Sequence, residues 1–171
     1  MARLAVWAPF RGYGHLLQGT SFPSYEEIEY VDLVDSSERY EQLIAFLSTH
    51  LPSPVEQEED SNGVIVFTGG SPGEVVARLT ATSVIVEEFA IRWETPYAPV
   101  VQPRRVGAVN WRRLPETAVM NVVGQLIKGA RDVRRARYRA CCVCGVTSPP
   151  EWLQGDDICQ TCAESRLGLV H

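Results

Sequence analysis

All five cysteines of this 171-residue chain fall between positions 141 and 162. Four of them make two Cys-x-x-Cys pairs, Cys141 with Cys144 and Cys159 with Cys162, and the fourteen residues from Gly145 to Ile158 separate the pairs. Two pairs at this distance can bring four thiolates to the corners of a tetrahedron, the geometry Zn²⁺ takes in a closed structural site. Clustering favours metal over scattered disulfides; a redox dithiol or disulfide pairs are the alternative. Knuckle spacing selects Cys141 and leaves Cys142 as a spare thiol. A Cys142–Cys144 pairing remains the other choice, with a poorer bite. Four sulfurs close the metal's shell, so no position stays open for a reactive water, and the site reads as structural.

The two pairs differ locally. Cys144 precedes Gly145, as in a knuckle turn whose backbone N–H groups point at the sulfurs. Cys162 precedes Ala163-Glu-Ser-Arg-Leu167, which favours a helical turn, with Gly168 as its cap. The second pair is therefore expected at a helix start, where backbone donors and the positive end of the dipole stabilise thiolate. This arrangement resembles the four-cysteine treble-clef fingers. A zinc ribbon is the close alternative, although it would be expected to repeat the glycine after the second pair. The resemblance spans residues 140–171 and implies a zinc cofactor, with a boundary after an N-terminal domain of residues 1–139. Some treble clefs belong to nucleases that need a histidine base near the metal. His15, His50 and His171 all lie outside the interval between the pairs, which speaks against that chemistry. Residues 140–171 offer few apolar side chains for a core, chiefly Trp152, Leu153, Ile158, Leu167, Leu169 and Val170. A structural zinc, at roughly 10–16 kcal/mol in finger peptides, would order such a segment.

Charge divides the chain unevenly. Residues 1–103 carry a net −10, residues 104–139 a net +8, and residues 140–171 a net −3, for −5 in total. The basic block holds Arg112, Arg113, Arg131, Arg134, Arg135, Arg137 and Arg139. Trp111 and Tyr138 interleave with these arginines, and aromatic rings among guanidinium groups suit nucleic acid. The block could instead neutralise the chain's own acids, or the charge of about −2 on a zinc–tetrathiolate centre. The expectation is a non-catalytic zinc protein associated with DNA or RNA as an accessory or regulator. The alternative is a protein-interaction adaptor or oligomeric scaffold, so nucleic acid, a protein partner and self-association all stand as partners.

The elements that must position these groups read as an α/β (α+β) domain, a mixed sheet with packing helices, followed by the small zinc module. Ala2–Phe10 reads as a strand and Arg11–His15 as a turn; Glu26–Val34 alternates acid and apolar like a half-buried strand. Asp35-Ser-Ser-Glu38 has the form of a capping box, opening a helix to about His50. The acidic stretch Pro52–Gly63 reads as a mobile loop, and Val64–Phe67 as a strand. Thr68–Glu74 reads as a turn into a helix carrying Val75, Val76 and Leu79, with Ser71 as N-cap. Thr80–Trp93 and Val106–Trp111 read as strands around an irregular, proline-bearing Glu94–Pro103. From Leu114, apolar residues at helical spacing (Val119, Val122, Val123, Leu126, Ile127, Ala130 and Val133) mark the longest helix.

No complete catalytic motif is present. Gly69–Gly73 could cradle phosphate at a helix start, which would make the chain an enzyme on a phosphorylated ligand, but it lacks the P-loop lysine. Glu87 and Glu88 are neighbours on a strand and should face opposite ways. No apolar run has the length of a membrane helix, and the N-terminal apolar run is short for a signal peptide. A cytoplasmic protein without a membrane partner is expected.

Overall fold

The computed structural model describes residues 25–95, 98–155 and 157–167, with side chains described for all of these except 25–34, 166 and 167. The strand and turn expected within residues 1–15, and the cap at Gly168, lie outside the described residues.

Helix α1 (Tyr25–His50) comes first. It includes Glu26–Val34, so the strand expected there is a helix, and Asp35 and Glu38 lie in its interior instead of capping it. No glycine or proline interrupts the chain from Tyr25 to His50. An acid–apolar alternation that short does not outweigh a helix already being extended residue by residue.

Seven strands follow: β1 (Val55–Glu59), β2 (Ile65–Gly69), β3 (Val75–Leu79), β4 (Ser83–Glu88), β5 (Ile91–Thr95), β6 (Ala98–Val101) and β7 (Arg104–Asn110). Five form one sheet in the order β1-β2-β3-β4-β7, antiparallel at every pairing. The α+β class is therefore as expected, and the mixed sheet is refined to an antiparallel one. Strands β5 and β6 make a separate hairpin between β4 and β7.

Three local expectations change. The acidic segment expected to be mobile is strand β1, paired along its whole length with β2. Its glutamates sit on a sheet edge, where charge stays in water and discourages pairing with another chain. The glycine turn leads into strand β3 and not into a helix: Gly70 takes φ +100°, and the Glu74 N–H donates to the Gly69 carbonyl at 2.8 Å. Val75 and Val76 are β-branched and buried, which suits a strand between two partners. The proline-bearing stretch contains β6, since in a two-stranded hairpin every strand is an edge and tolerates Pro99. Thr80–Trp93 divides into β4 and β5 at Phe89–Ala90.

Helix α2 (Glu116–Ala136) lies across the sheet beside α1. Phe67, Val75, Ala77, Leu79, Val84 and Val86 from the sheet meet Leu43 and Leu47 of α1 and Val119, Val123, Ile127 and Ala130 of α2. Trp111 closes this core; its Nε1 donates to the Thr80 carbonyl at 3.1 Å, and Arg39 and Arg112 flank its ring. The remaining residues fold into two small hairpins, β8 (Arg139–Ala140) with β9 (Thr147–Ser148) and β10 (Leu153–Gln154) with β11 (Ile158–Cys159), then helix α3 (Gln160–Leu167). A 3-10 turn at Pro150–Trp152 joins the hairpins.

Two glycines test this packing in opposite directions. A Cβ at Gly73 would meet the Phe89 ring at 2.6 Å, and at Gly129 in α2 it would meet nothing within 4 Å. In chemical denaturation, Gly73→Ala is expected to lose about 1–3 kcal/mol by overpacking. Gly129→Ala is expected to gain about 1 kcal/mol from helix propensity.

Candidate metal centre and the arginine seam

Cys141 follows β8, and its turn is closed from both sides: the Cys141 N–H donates to the Val146 carbonyl at 2.9 Å, and the Gly145 N–H donates to the Cys141 carbonyl at 2.8 Å. Gly145 sits at φ +72°, a conformation that disfavours any side chain, which is why glycine ends the knuckle. The second pair lies at the β11–α3 junction, with Cys162 in the first turn of α3. Two backbone N–H bonds tie the halves together, from the Cys142 N–H to the Asp157 carbonyl at 2.8 Å and from the Cys159 N–H to Cys141 Sγ at 3.3 Å.

These turns bring the sulfurs of Cys141, Cys144, Cys159 and Cys162 within 4.8 Å of one another. A tetrahedron with Zn–S bonds of about 2.3 Å has an edge of about 3.8 Å. The Cys144 and Cys159 sulfurs are 3.7 Å apart, so the donor set fits such an ion with little movement. Cys142 is exposed and stands outside the cluster. Among the described residues no histidine or carboxylate joins it.

The sulfurs of the cluster do not ionise alike. Backbone N–H groups, that of Cys159 foremost and that of Val143 among the others, draw the Cys141 thiol down to about 6. The neighbouring sulfurs, Cys159 first, push Cys162 up to about 12. One sulfur ionises easily because backbone N–H groups bond it, and the other resists because it is held protonated by hydrogen bonds to the neighbouring sulfurs and by burial.

The arginines are distributed unlike a single open face. Arg134 is 2% exposed. Its guanidinium makes a two-pronged pair with Glu151 of the 3-10 turn, one arm at 3.2 Å from Nη1 to Oε2. Its Nε donates to the Gly73 carbonyl at 3.1 Å, and the rings of Phe89 and Tyr138 lie 5.5 and 5.4 Å from its Cζ. Arg131 and Arg135 both bond Glu74, at 2.6 and 2.9 Å. Arg137 Nε lies 2.7 Å from Oε1 of the buried Glu88, an ion pair without hydrogen-bond geometry. Arg112 donates to the Ala81 carbonyl and covers Trp111, while Arg113 and Arg139 are exposed. Trp111 is buried, and Tyr138, partly buried, has Arg134 against its ring. Among the described residues, Trp93 and Trp152 are exposed tryptophans.

Glu74, Glu88 and Glu151 are thus the partners that a reading of the basic block alone misses. One signal was available: an acid on a strand's buried face requires a cation. Glu87 and Glu88 do face opposite ways, Glu87 toward Arg78 at 2.8 Å. Gly69–Gly73 forms no phosphate cradle, since Gly69 abuts Leu51 and Pro52, and Glu74 fills the turn at Gly70.

Comparison with family models, with curated proteins and with solved structures finds no match.

Metal analysis of purified protein is expected to find one ion per chain in Cys142→Ser and none in Cys141→Ser. Stripping the metal should disorder residues 140–167 and leave the sheet's amide protection intact. A pH test follows from Glu74. Burial works to raise its pKa, but bonds from Arg135 and Arg131 more than offset this and hold it below the ordinary 4.5. A depressed carboxyl stabilises the fold above its unfolded pKa and loses that contribution as pH falls through the folded value. The stability gap between wild type and Glu74→Gln should therefore stay level from about pH 6 to 8 and close below about pH 4.

Proposed function

We propose that this chain is a non-catalytic zinc-binding protein that works by docking a protein partner. The observation that carries this is the closed donor set: four sulfurs within 4.8 Å and no further ligand among the described residues. Four thiolates around Zn²⁺ leave no open position for water, so the ion shapes the polypeptide and does no chemistry. A knuckle, short hairpins and a helix start around the sulfurs are the parts of a treble-clef finger. This finger presents Trp152, 50% exposed, and Val146 beside Cys144 and Cys159 along a cleft of about 430 Å³. Half-exposed tryptophan is a common anchor of protein interfaces. The thiolate charge of about −2 behind that cleft favours a basic, apolar segment of the partner.

A second reading, association with DNA or RNA, is favoured by Arg112, Arg113 and Arg139, exposed cations with no carboxylate partner among the described residues. Four of the seven arginines first considered, Arg131, Arg134, Arg135 and Arg137, are committed to glutamates. That leaves too small a cationic surface to rank this reading first.

Oligonucleotide anisotropy on the zinc-loaded protein separates the two. The docking reading expects no binding of single-stranded or duplex probes at about 50 mM salt. Binding that falls steeply with salt, and is lost in Arg112→Gln/Arg113→Gln/Arg139→Gln, would replace it with the nucleic-acid reading.

A further inference from the structure

Away from the sulfurs, a cavity of about 210 Å³ opens where β4, β5 and β7 meet the end of α2 and the 3-10 turn. Arg134 and Glu151 line it but satisfy each other. The remaining charged groups are Glu88, Arg104 and Arg137. Arg104 stands opposite Glu88 in the β4–β7 register, yet makes no ion pair or hydrogen bond among the described residues. Arg137 spends only its Nε on Glu88. Glu88 itself is 2% exposed, and its Oε1 finds no hydrogen-bond donor. The site therefore holds two guanidinium groups with N–H to spare, one carboxylate short of a donor, and one net positive charge. Ile91, Pro150 and Trp93, the last 49% exposed, supply an apolar wall.

We propose that this cavity binds an apolar residue bearing a free carboxylate, as found at the C-terminus of a peptide or in an N-acyl amino acid. Guanidinium forks match a carboxylate through paired N–H···O bonds. One negative charge balances the site, whereas a phosphate dianion would face Glu88 and Glu151. The volume falls below the roughly 300–1,000 Å³ of drug-sized pockets, so the site suits one residue and not a nucleotide. Pro150 and Glu151 belong to the cysteine module, so the cavity needs that module ordered, but it shares no lining residue with the cleft at Trp152.

Calorimetric titration of the zinc-loaded protein tests it with four probes: N-acetylleucine, a pentapeptide ending in leucine, the C-terminal amide of that peptide, and inorganic phosphate. Binding of a free acid, weakened about tenfold or more in the amide and in Arg104→Gln, is expected. Trp93→Ala should also weaken it, and Arg113→Gln, remote from the cavity, should not. Arg104 makes no contact that holds the fold, so an unchanged melting temperature in Arg104→Gln keeps the comparison valid. A peptide that binds where N-acetylleucine does not assigns the site to a polypeptide end; equal binding assigns it to the small acid. Overturning results are no binding of either acid, equal binding of the amide, tighter binding of phosphate, or an undiminished affinity in Arg104→Gln.

Discussion

A guanidinium taken almost wholly out of water governs how this molecule is put together. Arg134 projects from the last turns of α2 and touches three other parts of the chain: the Gly73 carbonyl in the β2–β3 turn, the Phe89 ring after β4, and Glu151 in the 3-10 turn between the finger's hairpins. Its charge has nowhere to go but Glu151, whose side chain is only 6% exposed. Removing one member of such a buried pair commonly costs about 3–5 kcal/mol, since the other is left charged and dry. The surrounding pairs of Arg131, Arg135 and Arg137 keep one half-exposed partner each, and contribute less for that reason. Of these ion pairs, the one with Glu151 joins the cysteine module to α2, while the weaker ones hold α2 to the sheet.

The same arrangement explains the uneven charge along the chain. Part of the positive block is paired within the molecule. Four of its cations are the counter-charge to Glu74 in the turn before β3, to Glu88 at the end of β4, and to Glu151 in the cysteine module. Residues 131, 134 and 135 share one helix face by spacing, and that face meets the turn holding Glu74. What remains exposed without a carboxylate partner among the described residues is Arg104, Arg105, Arg112, Arg113, Lys128 and Arg139, dispersed over β7, the loop before α2, α2 itself and β8. Charge counted along a chain measures demand for partners without saying whether they come from the same molecule.

The cysteine module, whose four sulfurs are placed to hold a metal ion, is short of cohesion for a related reason. It buries little besides Cys141, Ser148, Pro149 and Ala163. Its hairpins pair over two residues each, too short for stability of their own. Zinc, as proposed, would supply the missing cohesion. The seam at Arg134 would then fix how the ordered module is presented.

Several elements were legible in the residues alone. The spacing of Val119, Val123, Ile127 and Ala130 specifies α2, and a helical repeat that long has no competing interpretation. The two Cys-x-x-Cys pairs, the glycine after the first and the helix-forming run after the second define the sulfur cluster through contacts close in sequence. Where local patterns were short, neighbours decided instead. Val55–Glu59 is a strand because Ile65–Gly69 lies beside it, and Val75–Leu79 because strands flank it on both sides. No property of Glu26–Val34 alone distinguishes a wet strand from the opening turns of a long helix. The number of arginines was plain from the chain, but their employment was not. Ion pairs join positions 57 to 61 residues apart, as Glu74 with Arg131 and Arg135, and only the folded backbone brings such groups within reach. The residues thus determined which charges and sulfurs exist. Tertiary structure decided which of them face one another, because electrostatic and coordination bonds act over a few ångströms of space, whatever the separation along the chain.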